Sequence, residues 1–345
     1  MLKRAWWIFL ALGLAACESI ETKRPELAPE KPVSIPNALK PTEKSTATST
    51  DFSKAATTTP ETSPVSPTVP SSAIALPETP NPAFLPPPPK VDPGERPKIA
   101  LLLGPGGLRT YAHIGVLEEL MKAKLPVVSV VGFETSSLVA GIFAAKGQPN
   151  AVEWQMMKLH EEDFQKKSLM TSTKPQDVKA LVPFMQNAFG ALNAEDTKIN
   201  FACPSYNFVK RQVFMMSHGP MLSLLPYCIP FIPFYKPHDE SIAALTSLAA
   251  AIRYAKSKGA NYLIYVDLLS EKTGPFFEDK ESDENVEWAT VAAALESQLS
   301  SVNRVISVPL NGFYINDFSK RREMSQKGQE AGRSAGKEIT NELGL

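Results

Sequence analysis

From residue 98 onward the chain alternates short unbroken apolar runs with stretches of helical periodicity. Lys98–Leu103 is continuously apolar after its first residue and predicts a buried parallel strand. Gly104-Pro105-Gly106-Gly107 predicts a turn. Tyr111–Lys122 places Ile114, Leu117, Leu120 and Met121 on one side, as an amphipathic helix does. Val127–Val131 predicts a second buried strand, Gly132 a turn, and Ser137–Lys146 a small-residue helix. The pattern continues with helices over Pro149–Phe164 and Pro175–Phe189 and strands over Ile199–Cys203 and Gln212–Met216. A helix over Ser241–Ser257, a strand over Asn261–Asp267, a helix over Val286–Leu299 and a strand over Val302–Leu310 follow. Phe318–Leu343 predicts a closing helix broken or bent near Gly328 and Gly332. Thr273–Asn285 reads as an acidic loop. Strand, turn, helix in repetition is the grammar of an α/β domain with a mostly parallel sheet.

The first hundred residues obey a different rule. Eighteen of the 31 prolines fall between Pro25 and Pro97, with no glycine between Gly13 and Gly94. Thr, Ser, Glu and Lys fill most of the rest, too little apolar surface to offset the entropy of ordering. Ahead of this segment, Lys3-Arg4 precedes the apolar run Ala5–Leu14, which is too short to span a bilayer and reads as a signal region. The expected division is a signal peptide over 1–16, a disordered tether over 17–96 and one folded domain over 97–345.

Net charge is zero over 36 basic and 36 acidic residues, with no basic stripe, which argues against a nucleic-acid partner. The four histidines are scattered, and neither they nor Cys17, Cys203 and Cys228 show metal-site spacing. No metal or cofactor is expected. Cys203 and Cys228 are either an oxidised pair or two buried thiols.

Leu14-Ala15-Ala16-Cys17 resembles the lipobox of bacterial lipoproteins. The resemblance implies cleavage before Cys17, acylation of that cysteine and anchorage to a membrane. Glu18, where Asp would retain such a protein at the inner membrane, implies sorting to the outer membrane, with the domain facing the periplasm.

The folded region resembles the patatin-like phospholipases. Carrying that resemblance are Lys98–Leu103, the loop Pro105-Gly106-Gly107-Leu108-Arg109-Thr110, and Ala112-His113-Ile114-Gly115-Val116-Leu117, which match the family's Gly-Gly-Gly-x-Arg-Gly loop and its His-x-Gly-Val-Leu helix. Weaker landmarks continue through Gly219-Pro220, Gly259-Ala260 and Pro309 to Gly328. A three-layer patatin-like α/β fold is implied. In the family the glycine loop stabilises an oxyanion through backbone N–H groups. Pro105 has none to give, Thr110 replaces a glycine, and Gly106, Gly107 and Arg109 remain.

The family's nucleophile elbow, Gly-x-Ser-x-Gly, reads here Gly132-Phe133-Glu134-Thr135-Ser136. Gap-free alignment puts Glu134 at the nucleophile position. A shifted alignment would make Ser136 the nucleophile; otherwise Ser136 and Ser137 would cap the following helix. The family's catalytic Asp-Gly is absent near Ala243–Leu245. Asp239 is the nearest carboxylate, and a cap of the next helix is its alternative role. These losses imply a domain without hydrolytic chemistry, acting as an envelope binding or scaffold module for a lipid or protein. The competing expectations are a lipid acyl hydrolase using Ser136 and Asp239, and a reaction using Glu134 as general base.

Overall fold

The computed structural model describes residues 73–75, 87–92, 94–165, 174–270 and 274–345; the leader, Cys17 and most of the Pro-rich segment lie outside these. The strands are β1 (Ala73–Ala75), β2 (Ile99–Leu103), β3 (Val127–Gly132), β4 (Asn200–Asn207), β5 (Gln212–Met216), β6 (Ser241–Ala243), β7 (Tyr262–Asp267) and β8 (Arg304–Ser307). The helices are α1 (Tyr111–Lys122), α2 (Ser136–Lys146), α3 (Pro149–Met156), α4 (Glu161–Phe164), α5 (Val182–Phe189), α6 (Met221–Cys228), α7 (Leu248–Ser257), α8 (Asp283–Glu296) and α9 (Arg321–Leu343).

The sheet runs in the order β1-β5-β4-β3-β2-β7-β8, with β6 on β4. From β4 to β8 the pairing is parallel, and β5, β6 and β1 add antiparallel. β2 is central and wholly buried, which explains its unbroken apolar run: both faces are covered. The chain moves from β2 through β3 to β4 in one direction, then returns to add β7 and β8 on the other side of β2. Right-handed crossovers therefore place α1 and α2 on one face and α7 and α8 on the other, giving three layers.

The closing helix is continuous, not broken, at Gly328 and Gly332. Both glycines lie against α1. A Cβ on Gly328 would strike the backbone of Ala112, and one on Gly332 would come within 2.9 Å of the Val116 Cα. The glycines let two helix backbones approach; they do not interrupt one.

Other expectations are corrected by packing. Ser241–Ala243 is strand, not helix, because Asp239 and Glu240 both take positive φ, 43° and 59°, and close a two-residue hairpin between reciprocally bonded His238 and Ser241. Helix α7 starts only at Leu248. The region Pro149–Phe164 divides into α3 and α4, and Pro175–Phe189 becomes a 3-10 turn followed by α5. Helix α6 was not expected, since Pro220 and Pro226 mask its periodicity. Helix α8 begins earlier than expected, where the Ser282 hydroxyl accepts from the Asn285 N–H. Cys203 and Cys228 form a disulfide.

The end of the Pro-rich segment joins the fold before residue 97. The Pro89 carbonyl accepts from the Asn303 side chain, the Arg96 carbonyl accepts from Asn261, and Val91 packs on the core. β1 also falls in this segment, paired with Phe214–Met216. Among the described residues no helix is long and apolar enough to cross a membrane.

Candidate functional site

Strands β2, β3 and β7 end side by side, with Leu103 opposite both Gly132 and Val266. The strand order reverses direction between β2 and β7, and in open α/β sheets the crevice beyond such a switch point takes ligands. Three loops meet there: Gly104–Gly107 after β2, Phe133–Thr135 after β3, and Leu268 onward after β7.

Glu134 stands between β3 and α2 with φ 55° and no exposed surface. A left-handed conformation at a non-glycine residue costs about 1–3 kcal/mol and persists only when its surroundings enforce it. The enforcement is visible at Gly132, where a Cβ would sit 2.5 Å from the Ser136 carbonyl. The chain thus turns sharply from strand into helix with Glu134 at the tip, and Ser136 is the first residue of α2.

The Glu134 carboxyl reaches back to the glycine loop. Its Oε2 accepts the Gly107 N–H at 2.9 Å and lies 2.7 Å from Thr135 Oγ1. Thr135 Oγ1 in turn donates to the Gly107 carbonyl at 2.7 Å. A hydroxyl carries one hydrogen, so an ionised Glu134 and the Gly107 carbonyl would compete for it. A protonated Glu134 removes the conflict by donating to Thr135 while accepting from Gly107. Burial drives the group the same way, raising its pKa to about 7 against the pull of the Thr135 hydroxyl and the amides of Thr135, Gly107 and Gly106. Oε1 is buried without a hydrogen-bond partner among the described residues.

Ser136 is fully buried. Its hydroxyl donates to the Gly104 carbonyl at 2.8 Å and accepts from Thr110 Oγ1 at 3.0 Å. Ser137 donates to the Gly132 carbonyl at 3.0 Å. Neither caps α2; the cap position is Thr135, without a side-chain capping bond. His113 Nε2 meets the same Gly104 carbonyl at 2.9 Å, and burial lowers its pKa to about 4. Thr110 takes ordinary helical angles. The residues around the elbow therefore serve to hold the β2 loop on α1 and α2.

Arg109 does not point at the Glu134 carboxyl. It clasps three loops, donating from Nε to the Phe313 carbonyl at 2.9 Å and from its terminal nitrogens to Leu268 and Pro275 at 3.1 and 3.2 Å. Its guanidinium lies 5.1 Å from the Phe276 ring centre. Near it, Asp267 ends β7, buried, with Oδ1 accepting from the Leu269 N–H at 2.9 Å; burial raises its pKa. Sequence reading missed Asp267 as a candidate. Its one signal was an acid terminating an apolar strand.

Asp239 is not brought to this cluster. It sits in its exposed hairpin turn and accepts from the Tyr227 hydroxyl at 2.9 Å, so it neither caps a helix nor touches Ser136. The glycine loop itself is covered: Phe234 and Ile315 occupy the space a Cβ on Gly107 would enter. Among the described residues no cluster could hold a metal ion.

Residues 101–271 match the family model described as Patatin-like phospholipase. Similar proteins include ones named Uncharacterized NTE family protein from Mycobacterium bovis and from two strains of Mycobacterium tuberculosis, each 23% identical over 223 residues, which cover 61% of this chain and 60% of the relative. The chain thus spans about 60% of the length of these curated relatives.

Proposed function

Residues 101–271 belong to the patatin-like phospholipase family, and from that premise we propose that the domain is a non-catalytic member, delivered to the cell envelope as a lipoprotein acylated at Cys17. The observation that carries this reading is the Glu134 carboxyl lodged on the Gly107 N–H. In the family's chemistry that amide would bind the developing oxyanion; here the protein's own side chain fills the position. A carboxylate attacking an ester would form an anhydride and would repel the oxyanion beside it. The proposed role is binding or scaffolding, with the Pro-rich segment between Cys17 and β1 as a tether to the outer membrane on its periplasmic face. A hydrolase using Ser136 and Asp239 is disfavoured by Ser136's two buried hydrogen bonds and by Asp239's separate engagement with Tyr227.

Treating the purified protein with a fluorophosphonate probe and a short-chain ester tests the chemistry. Silence in both assays is the expected result. Labelling at Ser136 that Ser136→Ala abolishes, together with ester turnover, would overturn it. The anchor is tested separately: wild-type protein expressed in a Gram-negative host should fractionate with outer membranes, and Cys17→Ala should appear in the soluble fraction.

A further inference from the structure

A cavity of about 550 Å³ lies between α8 and the sheet, at the ends of β7 and β8, within the size range of small-molecule sites, about 300–1,000 Å³. It stands where open α/β sheets take ligands, at the C-terminal ends of strands beside the β2–β7 switch point. Leu269, Phe276 and Leu299 give it apolar walls, and Ala289 and Ala292 of α8 leave open the space that longer side chains would fill. None of Glu134, Ser136, Gly106 or Gly107 lines it.

Its polar wall is acidic. Asp267 ends β7 with only 6% exposure, Ser307 pairs with it from β8, and Glu296 is the last residue of α8. Burial raises the Asp267 pKa and the Glu296 charge raises it further, against bonds from Leu269 and Ser307 and the charge of Arg109. The two carboxylates therefore share one end of the cavity. Among the described residues no Lys, Arg or His lines it; Arg109 is engaged with the carbonyls of Phe313, Leu268 and Pro275. Tyr265 forms part of the wall, close enough to Asp267 to feel its charge, and its hydroxyl is fully buried with no hydrogen-bond partner among the described residues. A buried hydroxyl in that state calls for a partner. Two like charges and an unpaired oxygen suit a cation rich in N–H donors, and a primary ammonium carries three.

The other end is apolar. From Glu296 the lining face of α8 runs back to Asn285, about 16 Å of helix. Asn285 accepts from the Phe276 N–H, so Phe276 marks the far end. We propose that this cavity binds a primary alkylammonium ion, its head at Asp267 and Glu296 and its chain along α8 toward Phe276.

Calorimetric titration of the full chain with n-octylamine at neutral pH, below its micelle concentration, tests this. Saturable binding of one equivalent is expected. Octanol, equal in length but uncharged, should bind about ten-fold more weakly, the loss of a charged hydrogen bond, and octanoate should give no saturable heat. Glu296→Gln, at an exposed position, should weaken octylamine about ten-fold, as should Asp267→Asn, and Tyr265→Phe about five-fold. The Glu296 variant decides the matter if the Asp267 variant fails to fold. Glu287→Gln, at an α8 carboxylate that does not line this cavity, should bind like wild type. Unsaturable heats, octanol bound as tightly as octylamine, wild-type affinity in a folded Glu296→Gln, or an equal loss in Glu287→Gln would each overturn the proposal. Ester cleavage at the elbow would overturn the non-catalytic reading and leave this one standing, so the two fail separately.

Discussion

The Glu134 carboxyl and the Gly107 amide meet at 2.9 Å across 27 residues of sequence. The contact joins the tip of the strand-to-helix turn to the loop that, in the patatin-like family, holds negative charge. An acid at that tip satisfies the loop internally, and the satisfaction is complete only when the acid carries its proton.

This contact makes stability depend on pH. Glu134 has a folded pKa near 7, raised from 4.5, so the native state holds a proton that the unfolded chain releases above about pH 4.5. The associated stability is fully present below pH 4.5 and is lost as pH rises through 7. A shift of this size corresponds to about 3 kcal/mol. His113 acts oppositely. Its folded pKa is lowered from 6.5 to about 4, so stability is lost as pH falls from 6.5 toward 4. Urea denaturation of wild type and Glu134→Gln at matched pH cancels the His113 contribution. The variant should gain on wild type between pH 5 and pH 8; parallel stability profiles would refute protonation of Glu134.

Two glycines of α9 should respond in opposite directions to alanine. At Gly328 the added Cβ meets the Ala112 backbone, which cannot yield without separating the helices, so Gly328→Ala should cost more than about 2 kcal/mol. At Gly336 the nearest atom is the Ala123 Cβ at 3.4 Å, and Gly336→Ala should stabilise by about 0.5–1 kcal/mol through reduced unfolded-state entropy. Thermal unfolding midpoints would move apart, and a gain at Gly328 would contradict the close helix contact.

Arg109 should matter for folding more than for charge. It donates to carbonyls of Phe313, Leu268 and Pro275, and burial lowers its pKa to about 9 against the attraction of Asp317 and Asp267. Arg109→Lys keeps the charge but loses the planar fork. It should cost about 2–4 kcal/mol, since at least two buried carbonyls lose their donor, and should raise hydrogen exchange in the segments around Leu268 and Phe313. Stability like wild type would refute the clasp.

Much of the fold was legible in advance. The apolar runs at Ile99–Leu103 and Tyr262–Asp267 are strands because a parallel strand buried on both faces needs no polar alternation. Tyr111–Lys122 is a helix with the expected bounds. The readings that failed involve residues whose local signal has two meanings. Ser241–Ala243 continued the helical pattern of α7, yet the hairpin turn before it and pairing with β4 made it a strand. Glycines in α9 signalled a bend locally but a helix crossing in three dimensions.

The same division holds at the site. Sequence alone determined that an acid, Glu134, stands two residues after Gly132, that no Asp-Gly stands near Ala243, and that the Pro-rich segment differs from the domain, because these follow from residue identity, order and composition. Only the tertiary structure decided where the Glu134 carboxyl goes, that Arg109 grips loops more than 150 residues away, that Ser136 is buried in hydrogen bonds, and that Cys203 and Cys228 are joined. Periodicity and turn chemistry are set by neighbours in the chain. Contacts between distant loops are set by which strand ends the packed sheet brings together, and no local pattern encodes that.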